Sequence, residues 1–178
     1  MVGLGFLPGE FSSIAHDVSD DGSVVVGWGA TSAFRWTEST GMVPLLGGNR
    51  GLGVSSDGKL TIGSGGTALV WDETGSVLDI QEILVNELGL DLTGWLLRAA
   101  WDISDDLTTV VGFGNNPDGN EEAWIAKSDT PFSSFRFQST RGVPEPTTLA
   151  LLMLGLVGIA ARRRRWPTNP APTADNAA

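Results

Sequence analysis

The chain contains no cysteine and no tyrosine, and it contains a single histidine. The absence of cysteine excludes disulfides, a thiolate nucleophile and any cysteine-based metal site. Histidine is the side chain most often used as a general base, so one histidine leaves few options for catalysis. The composition therefore predicts a protein that is not an enzyme and that has no catalytic residues, metal site or cofactor.

Basic residues are also scarce. There are 11 lysines and arginines against 21 aspartates and glutamates, which gives a net charge of −10. Four of the basic residues stand together as Arg162, Arg163, Arg164 and Arg165, so the remainder is more acidic than the total suggests. Such a body cannot neutralise a phosphate backbone, which excludes nucleic acid as a partner. An acidic body fits an exported protein.

The first part of the chain is internally repeated. The 178 residues suffice for one domain and a tail, and 24 glycines favour a turn-rich β fold. One segment recurs at residues 17–27, 53–63 and 102–112, and in each copy a motif serine stands eight residues before a closing glycine. The serines are 36 and 49 residues apart, close to the period of about 40 to 50 residues of propeller-type repeats. These serines are Ser19, Ser55 and Ser104.

Each copy is followed by a second short strand that begins with alanine, at residues 33–36, 68–71 and 123–126. Because one such unit cannot bury its own apolar face, neighbouring units must stack. We therefore predict an all-β body at residues 1–127, a propeller-like array of about three short antiparallel repeats. Closed propellers have about 4 to 8 blades, so either the array is truncated or its sheets pack in another way.

The second strands carry a family resemblance. They read Ser32-Ala33-Phe34, Thr67-Ala68-Leu69 and Glu122-Ala123-Trp124. Together with the copies before them, over roughly residues 3–127, they resemble the HAF-type extracellular repeats, which are named for His-Ala-Phe. The histidine is missing in every copy.

Two further segments have predictions of their own. Residues 77–90 contain Leu78, Ile80, Ile83, Leu84 and Leu88, a spacing that predicts a short helix or turn packed on the sheets. Residues 128–142 are predicted to be a linker, and a last edge strand is the alternative.

The first copy matches half of a calcium-binding loop. Asp17, Ser19 and Asp21 precede Gly22 in the required order, but the twelfth position, which should be acidic, is Trp28. We favour turns in which the aspartates accept backbone hydrogen bonds.

A Ser-His-Asp set can also be named from Ser12, Ser13, His16 and Asp17. These residues are close along an extended chain and no nucleophile-elbow motif accompanies them, so we assign no catalytic role.

The body is rich in tryptophan. Aromatic surfaces can stack on sugars, which would make an exopolysaccharide-binding face, but Trp36 and Trp71 occupy equivalent positions in two copies, as core residues of a repeat do. We favour the core interpretation for the set. The tryptophans of the body are Trp28, Trp36, Trp71, Trp95, Trp101 and Trp124.

The final part of the chain is built differently. Val143, Pro144, Glu145 and Pro146 precede an uncharged apolar run at residues 147–161, which ends at the four arginines. Fifteen helical residues span about 22 Å against a hydrocarbon core of about 30 Å, so a buried core helix is the alternative. The run has no polar face and the arginine stems can snorkel. We predict a single C-terminal transmembrane helix within residues 143–165, with the arginines cytoplasmic and the body outside.

A Pro-Glu-Pro motif, an apolar helix and an arginine cluster in this order resemble the PEP-CTERM sorting tail of Gram-negative bacteria. The resemblance implies that an exosortase-type membrane peptidase recognises Val143, Pro144, Glu145 and Pro146 and cuts nearby during export, often alongside exopolysaccharide production. Tails of this family usually end near the arginines, whereas residues 166–178 here form an extension that is predicted to be disordered.

These patterns predict a non-enzymatic exported cell-surface or extracellular-matrix protein. It would contact the inner membrane in transit, with exosortase, the lipid bilayer and exopolysaccharide as partners. The alternative function is an exopolysaccharide-binding module, and a hydrolase rests on fold analogy alone. Residues 1–5 show no basic and apolar leader, so we expect a secretory signal upstream of this sequence.

Overall fold

The computed structural model describes residues 1–136. The predicted sorting tail, its transmembrane helix, the end of the predicted linker and the predicted disordered extension lie outside this range. In residues 1–136 no helix has the length and apolar character needed to cross a bilayer.

Residues 1–136 form three antiparallel sheets in which each strand pairs with its neighbour along the chain. The first sheet contains β1 (Ser13–Val18), β2 (Val24–Gly29), β3 (Ala33–Thr37) and β4 (Gly41–Leu45). The second contains β5 (Arg50–Val54), β6 (Thr61–Ser64), β7 (Ala68–Trp71) and β8 (Val77–Asp79). The third contains β9 (Leu96–Ile103), β10 (Thr109–Asn115) and β11 (Glu121–Lys127). The prediction of a mainly β body is confirmed, and none of these three sheets closes into a barrel or a propeller.

The three copies of the sequence repeat coincide with the three sheets. Each copy forms the end of the first strand, the following turn and the second strand of one sheet. The second strand of each sheet pairs next with the strand that contains the repeat alanine. That strand begins at Ala33 in the first sheet, at Ala68 in the second, and at Glu121, two residues before Ala123, in the third. One repeat is therefore one antiparallel sheet.

The core lies between consecutive sheets. We call the side of a sheet that packs on the following sheet its forward face, and the opposite side its backward face. At the first junction Val24 and Val26 pack on Val54 of the second sheet, and Ala33 packs in one cluster with Trp71. At the second junction a larger cluster unites the second and third sheets; it includes Leu60, Ile62, Val70, Ile103, Val110 and Ala126.

The predicted short helix or turn between the second and third sheets is present. Residues Val77–Asp79 form β8, and a short helix (α1, Ile80–Glu82) and a π-helical turn (Ile83–Glu87) follow. Asp79 caps α1, since its Oδ1 accepts the backbone N–H of Gln81 at 2.8 Å. The apolar side chains of this segment pack in the core cluster of the second junction.

The described part of the predicted linker packs on the body. A 3-10 helix (Phe132–Ser134) places the Phe132 ring in the core of the second junction. The Phe132 N–H donates to the Leu107 carbonyl at 2.8 Å, and the Ser128 N–H donates to the Thr108 carbonyl at 2.9 Å. Residues 128–136 contain this helix and no strand.

Candidate functional site

A polar turn of constant geometry joins the first two strands of every sheet. The serine hydroxyl donates to the aspartate two residues later at 2.6 to 2.7 Å. The same oxygen accepts the backbone N–H five residues later at 2.9 to 3.0 Å. The aspartate also accepts a backbone N–H two residues beyond itself, at 2.9 to 3.1 Å. The three turns are at residues 19–22, 55–58 and 104–107.

The last residue of each turn has a positive φ. Gly22 and Gly58 have φ values of 72° and 70°, and Leu107 has a φ of 60° at the equivalent position. A left-handed conformation costs a residue with a Cβ about 1 to 2 kcal/mol. Leu107 packs against the core cluster of the second junction, which offsets this cost.

The turn aspartates are held as carboxylates by these hydrogen bonds. The Ser23 backbone N–H and then the Ser19 hydroxyl lower the pKa of Asp21 to about 2. The pKa of Asp106 is also lowered, first by the Ser104 hydroxyl. Bonds to the charged form stabilise that form, so these carboxylates hold the turns.

The two aspartates that match part of a calcium-binding loop in the first copy bind different parts of the structure. Asp21 binds its own turn, whereas the Oδ2 of Asp17 accepts the Val54 N–H of the second sheet at 2.8 Å. No group of three or more histidine, aspartate or glutamate side chains with metal-binding geometry occurs in residues 1–136. The turn-forming interpretation is confirmed for Ser19 and Asp21. It is wrong for Asp17, which lies in β1 and bonds to the second sheet.

The first strand of each sheet carries a β-bulge at the same repeat position. The strand register shifts between Ala15 and Asp17 and between Gly51 and Gly53, and the same shift in the third sheet leaves Trp101 unpaired. The bulged residues are therefore His16, Leu52 and Trp101, each three residues before a motif serine. A bulge redirects its side chain and is frequent beside binding sites.

The bulges of the first and third sheets bring an aromatic cluster together. We call His16, Trp28, Trp101 and Phe113 the aromatic cluster. The ring centres of His16 and Trp28 are 5.3 Å apart, those of His16 and Trp101 are 6.1 Å apart, and those of Trp101 and Phe113 are 6.3 Å apart. Trp101 keeps 42% of its surface exposed. His16 and Trp28 of the first sheet thus form one aromatic surface with Trp101 and Phe113 of the third sheet.

A groove of about 400 Å³ lies beside Trp101 and Phe113 of this cluster. The Arg50 guanidinium lies over the Trp28 ring, 5.6 Å from its centre. The Arg98 Nε donates to the Asn115 side-chain oxygen at 2.8 Å. Trp101, Phe113, Asn49 and Glu121 also line the groove.

The two groove arginines are not neutralised within the described body. Among residues 1–136 the ion pair that forms is between Lys59 and Asp57, at 3.1 Å. Within residues 1–136, Arg50 and Arg98 thus line the groove without an ion pair. A groove with this composition can bind a planar or ring-shaped ligand that carries hydroxyl or carboxylate groups.

The Ser-His-Asp set named from the sequence does not assemble. The Ser13 hydroxyl donates to the Gly5 carbonyl at 2.8 Å. The two oxygens of Asp17 accept backbone N–H groups of Val18 and Val54. His16 contacts Trp28 and Trp101 instead, so its position favours a binding surface.

The core interpretation of the tryptophans is correct for only part of the set. Trp71 is buried, and its Nε1 donates to the Leu46 carbonyl at 2.9 Å. The equivalent Trp36 is half-buried. Trp101 is exposed in the groove, so the interpretation is wrong there. In the sequence, His16 and Trp101 share one repeat position, three residues before a motif serine. That shared position is a signal, but it does not show that the two side chains meet.

The predicted sorting residues lie outside the described range. These are Val143, Pro144, Glu145 and Pro146 of the motif and Arg162, Arg163, Arg164 and Arg165 of the cluster.

Comparison with known proteins characterises the tail. Residues 142–165 match the family model of the PEP-CTERM protein-sorting motif. A search of curated proteins gives no significant match. A solved structure described as "The structure of putative TolB from Agrobacterium tumefaciens" is similar, with a TM-score of 0.45 and 18% identity over 69% of this chain. The match spans 48% of that structure, so the chain covers about half of its length. The chain thus carries the PEP-CTERM protein-sorting motif at residues 142–165, which indicates an exported protein that exosortase sorts.

Proposed function

We propose that this protein is a non-enzymatic cell-surface or extracellular-matrix protein that is sorted through its Pro-Glu-Pro tail. The observation that carries the proposal is the sorting motif at residues 142–165. In this proposal exosortase recognises Val143, Pro144, Glu145 and Pro146 and cuts near them.

Each segment of the tail has its own role in this proposal. Pro144 and Pro146 fix the backbone around Glu145, so the recognised carboxylate is presented with little loss of entropy. Residues 147–161 cross the bilayer, and the arginines at 162–165 stay on the cytoplasmic side. The body then passes outside the inner membrane, where it is displayed.

In this proposal the repeat body is the part of the protein that is displayed outside the inner membrane. Its repeated turns use their serine and aspartate side chains to hold strands together. The packing of one repeat on the next supports a propeller-like arrangement of HAF-type extracellular repeats.

The test replaces the motif prolines. In a host that has exosortase, the full chain with Pro144→Ala and Pro146→Ala should stay uncut in the membrane fraction. The matched control, Pro167→Ala with Pro170→Ala, changes two prolines beyond the arginines and should reach the surface like the unaltered chain. Normal processing of the motif variant, or an uncut cytosolic location of the unaltered chain, would reject the proposal.

A second candidate function is exopolysaccharide binding by the groove. The exposed Trp101 ring beside Phe113 supports it, because aromatic faces stack on the C–H faces of sugar rings. Arg50 and Arg98 favour a polymer with carboxylate groups, since guanidinium binds carboxylate through two parallel hydrogen bonds.

Affinity electrophoresis on gels that contain the exopolysaccharide of the host tests this function. The polymer should retard the unaltered protein, and Trp101→Ala should abolish the retardation. Phe11→Ala, which removes an exposed ring outside the groove, should leave it intact. Equal mobility of the unaltered and Trp101→Ala proteins would reject binding at this site.

A further inference from the structure

The two junctions between sheets bury the same repeat positions. The residue before each motif serine lies on the backward face, and both Val54 and Ile103 are buried there. The residue before each closing glycine lies on the forward face, and Val26 and Ile62 are both fully buried. Both junctions thus use the same repeat positions: one group of positions on the forward face of one sheet packs on a second group on the backward face of the next.

The ends of the array expose those same positions. Val18, the backward-face equivalent of Val54 and Ile103, is 52% exposed in the first sheet. Val111, the forward-face equivalent of Val26 and Ile62, is 38% exposed in the third sheet. The first sheet therefore presents an open backward half of a junction, and the third sheet presents an open forward half.

A second forward position shows the same contrast. Val70 is fully buried at the second junction, whereas its equivalent on the third sheet, Ile125, is 62% exposed. Val111 and Ile125 pair directly across β10 and β11, so they form one continuous apolar patch. An exposed apolar patch on a sheet face is a surface on which a second sheet can pack face to face.

Polar contacts also repeat from sheet to sheet. The Asp20 N–H of the first turn donates to the Ser56 carbonyl of the second turn at 3.2 Å. The Ser56 hydroxyl donates to the Asp105 carboxylate of the third turn. These three residues occupy the same place, between the serine and the aspartate of each turn. Stacking is therefore guided by the turns as well as by apolar contact.

From this continuity we propose that the forward face of the third sheet in one copy stacks on the backward face of the first sheet in a second copy. The contact is head-to-tail and repeats the internal junctions. Two copies that close on each other would present six sheets, which lies within the range of about 4 to 8 for closed propellers. Copies that do not close would form a longer series through the same contact.

The internal junction identifies which residues should meet between copies. Val54 packs on Val24 and Val26 at the first junction. The equivalents at the open ends are Val18 in one copy and Thr109 with Val111 in the other. Val18 of one copy should therefore lie against Val111 of the next.

The absence of cysteine allows a specific test by cross-linking. Full-length Val18→Cys and Val111→Cys proteins carry different tags, and each has a single thiol. Mixed and treated with a short bismaleimide, they should give a cross-linked species that contains both tags. Each variant alone should give at least tenfold less. Val18→Cys mixed with Asp118→Cys, a hairpin residue, should also give at least tenfold less.

Several outcomes would overturn the proposal. Absence of mixed cross-links contradicts it directly. Equal cross-linking of Val111→Cys with itself would instead show two identical faces in contact, and equal cross-linking with Asp118→Cys would show nonspecific proximity. Adding Ile125→Asp to the Val111→Cys chain should reduce the mixed product at least tenfold, and an unchanged yield would also contradict the proposal. Sorting of the tail is not needed for any of these results.

Discussion

The second and third sheets contain the same repeat but have different surroundings. In the second sheet, Ile62 is buried under the third sheet. In the third sheet, the equivalent Val111 keeps 38% of its surface exposed. The strands that carry these residues, β6 and β10, each follow a turn of the same kind and each pair antiparallel with the strand before it. The repeat therefore specifies strand and turn, whereas burial depends on whether another sheet follows.

The largest expected effect separates these equivalent positions. Ile62→Ala should lower the free energy of unfolding by about 2 to 5 kcal/mol, because it leaves a cavity in a packed junction. Val111→Ala should change it by less than about 0.5 kcal/mol in dilute protein. Urea unfolding followed by tryptophan fluorescence measures both values. Similar losses for the two variants would show that the third sheet is covered as fully as the second.

A smaller contrast concerns the glycines of the first two turns. Gly22→Ala should cost about 1 to 2 kcal/mol because φ is 72° and the added Cβ meets no atom within 4 Å. Gly58→Ala should cost more, since the new Cβ would lie 2.7 Å from a Val24 methyl group of the first sheet. The same unfolding experiment compares the variants. A Gly58→Ala loss no greater than that of Gly22→Ala would show that the turn does not press on its neighbour.

The smallest effect concerns pH and the first turn. Because the pKa of Asp21 is lowered to about 2 from its ordinary value of 3.8, its contribution to stability is complete above pH 4. That contribution should disappear as the pH falls from about 4 to 2. Asp21→Asn should flatten the dependence of unfolding free energy on pH in this window, and the hairpin variant Asp118→Asn should not. An unchanged slope for Asp21→Asn would contradict the assigned hydrogen bonds.

Sequence periodicity predicted the repeated strands and turns because these features are local. Ser19, Ser55 and Ser104 each organise contacts within about five residues, so spacing alone reveals them. The sorting motif is also read from contiguous residues, and its match at residues 142–165 agrees with the sequence prediction. The HAF-type resemblance stays a prediction.

The aromatic cluster could not be predicted in the same way. It depends on a register shift that redirects His16 and Trp101, and on the stacking that brings the first and third sheets together. Phe132 shows the same limit, since its burial in the core and the bond from its N–H to the Leu107 carbonyl join distant segments of the chain, which no spacing predicts. Long-range packing determined each of these outcomes.

The intact mass of the protein recovered from the cell surface tests the central claim most directly. In a host with exosortase, we expect a species that lacks the residues beyond a cut near Val143, Pro144, Glu145 and Pro146. In the same host without exosortase, the residues up to Ala178 should be retained and the surface fraction should be depleted. A surface species that retains Ala178 and is equally abundant in both hosts would contradict sorting by this tail.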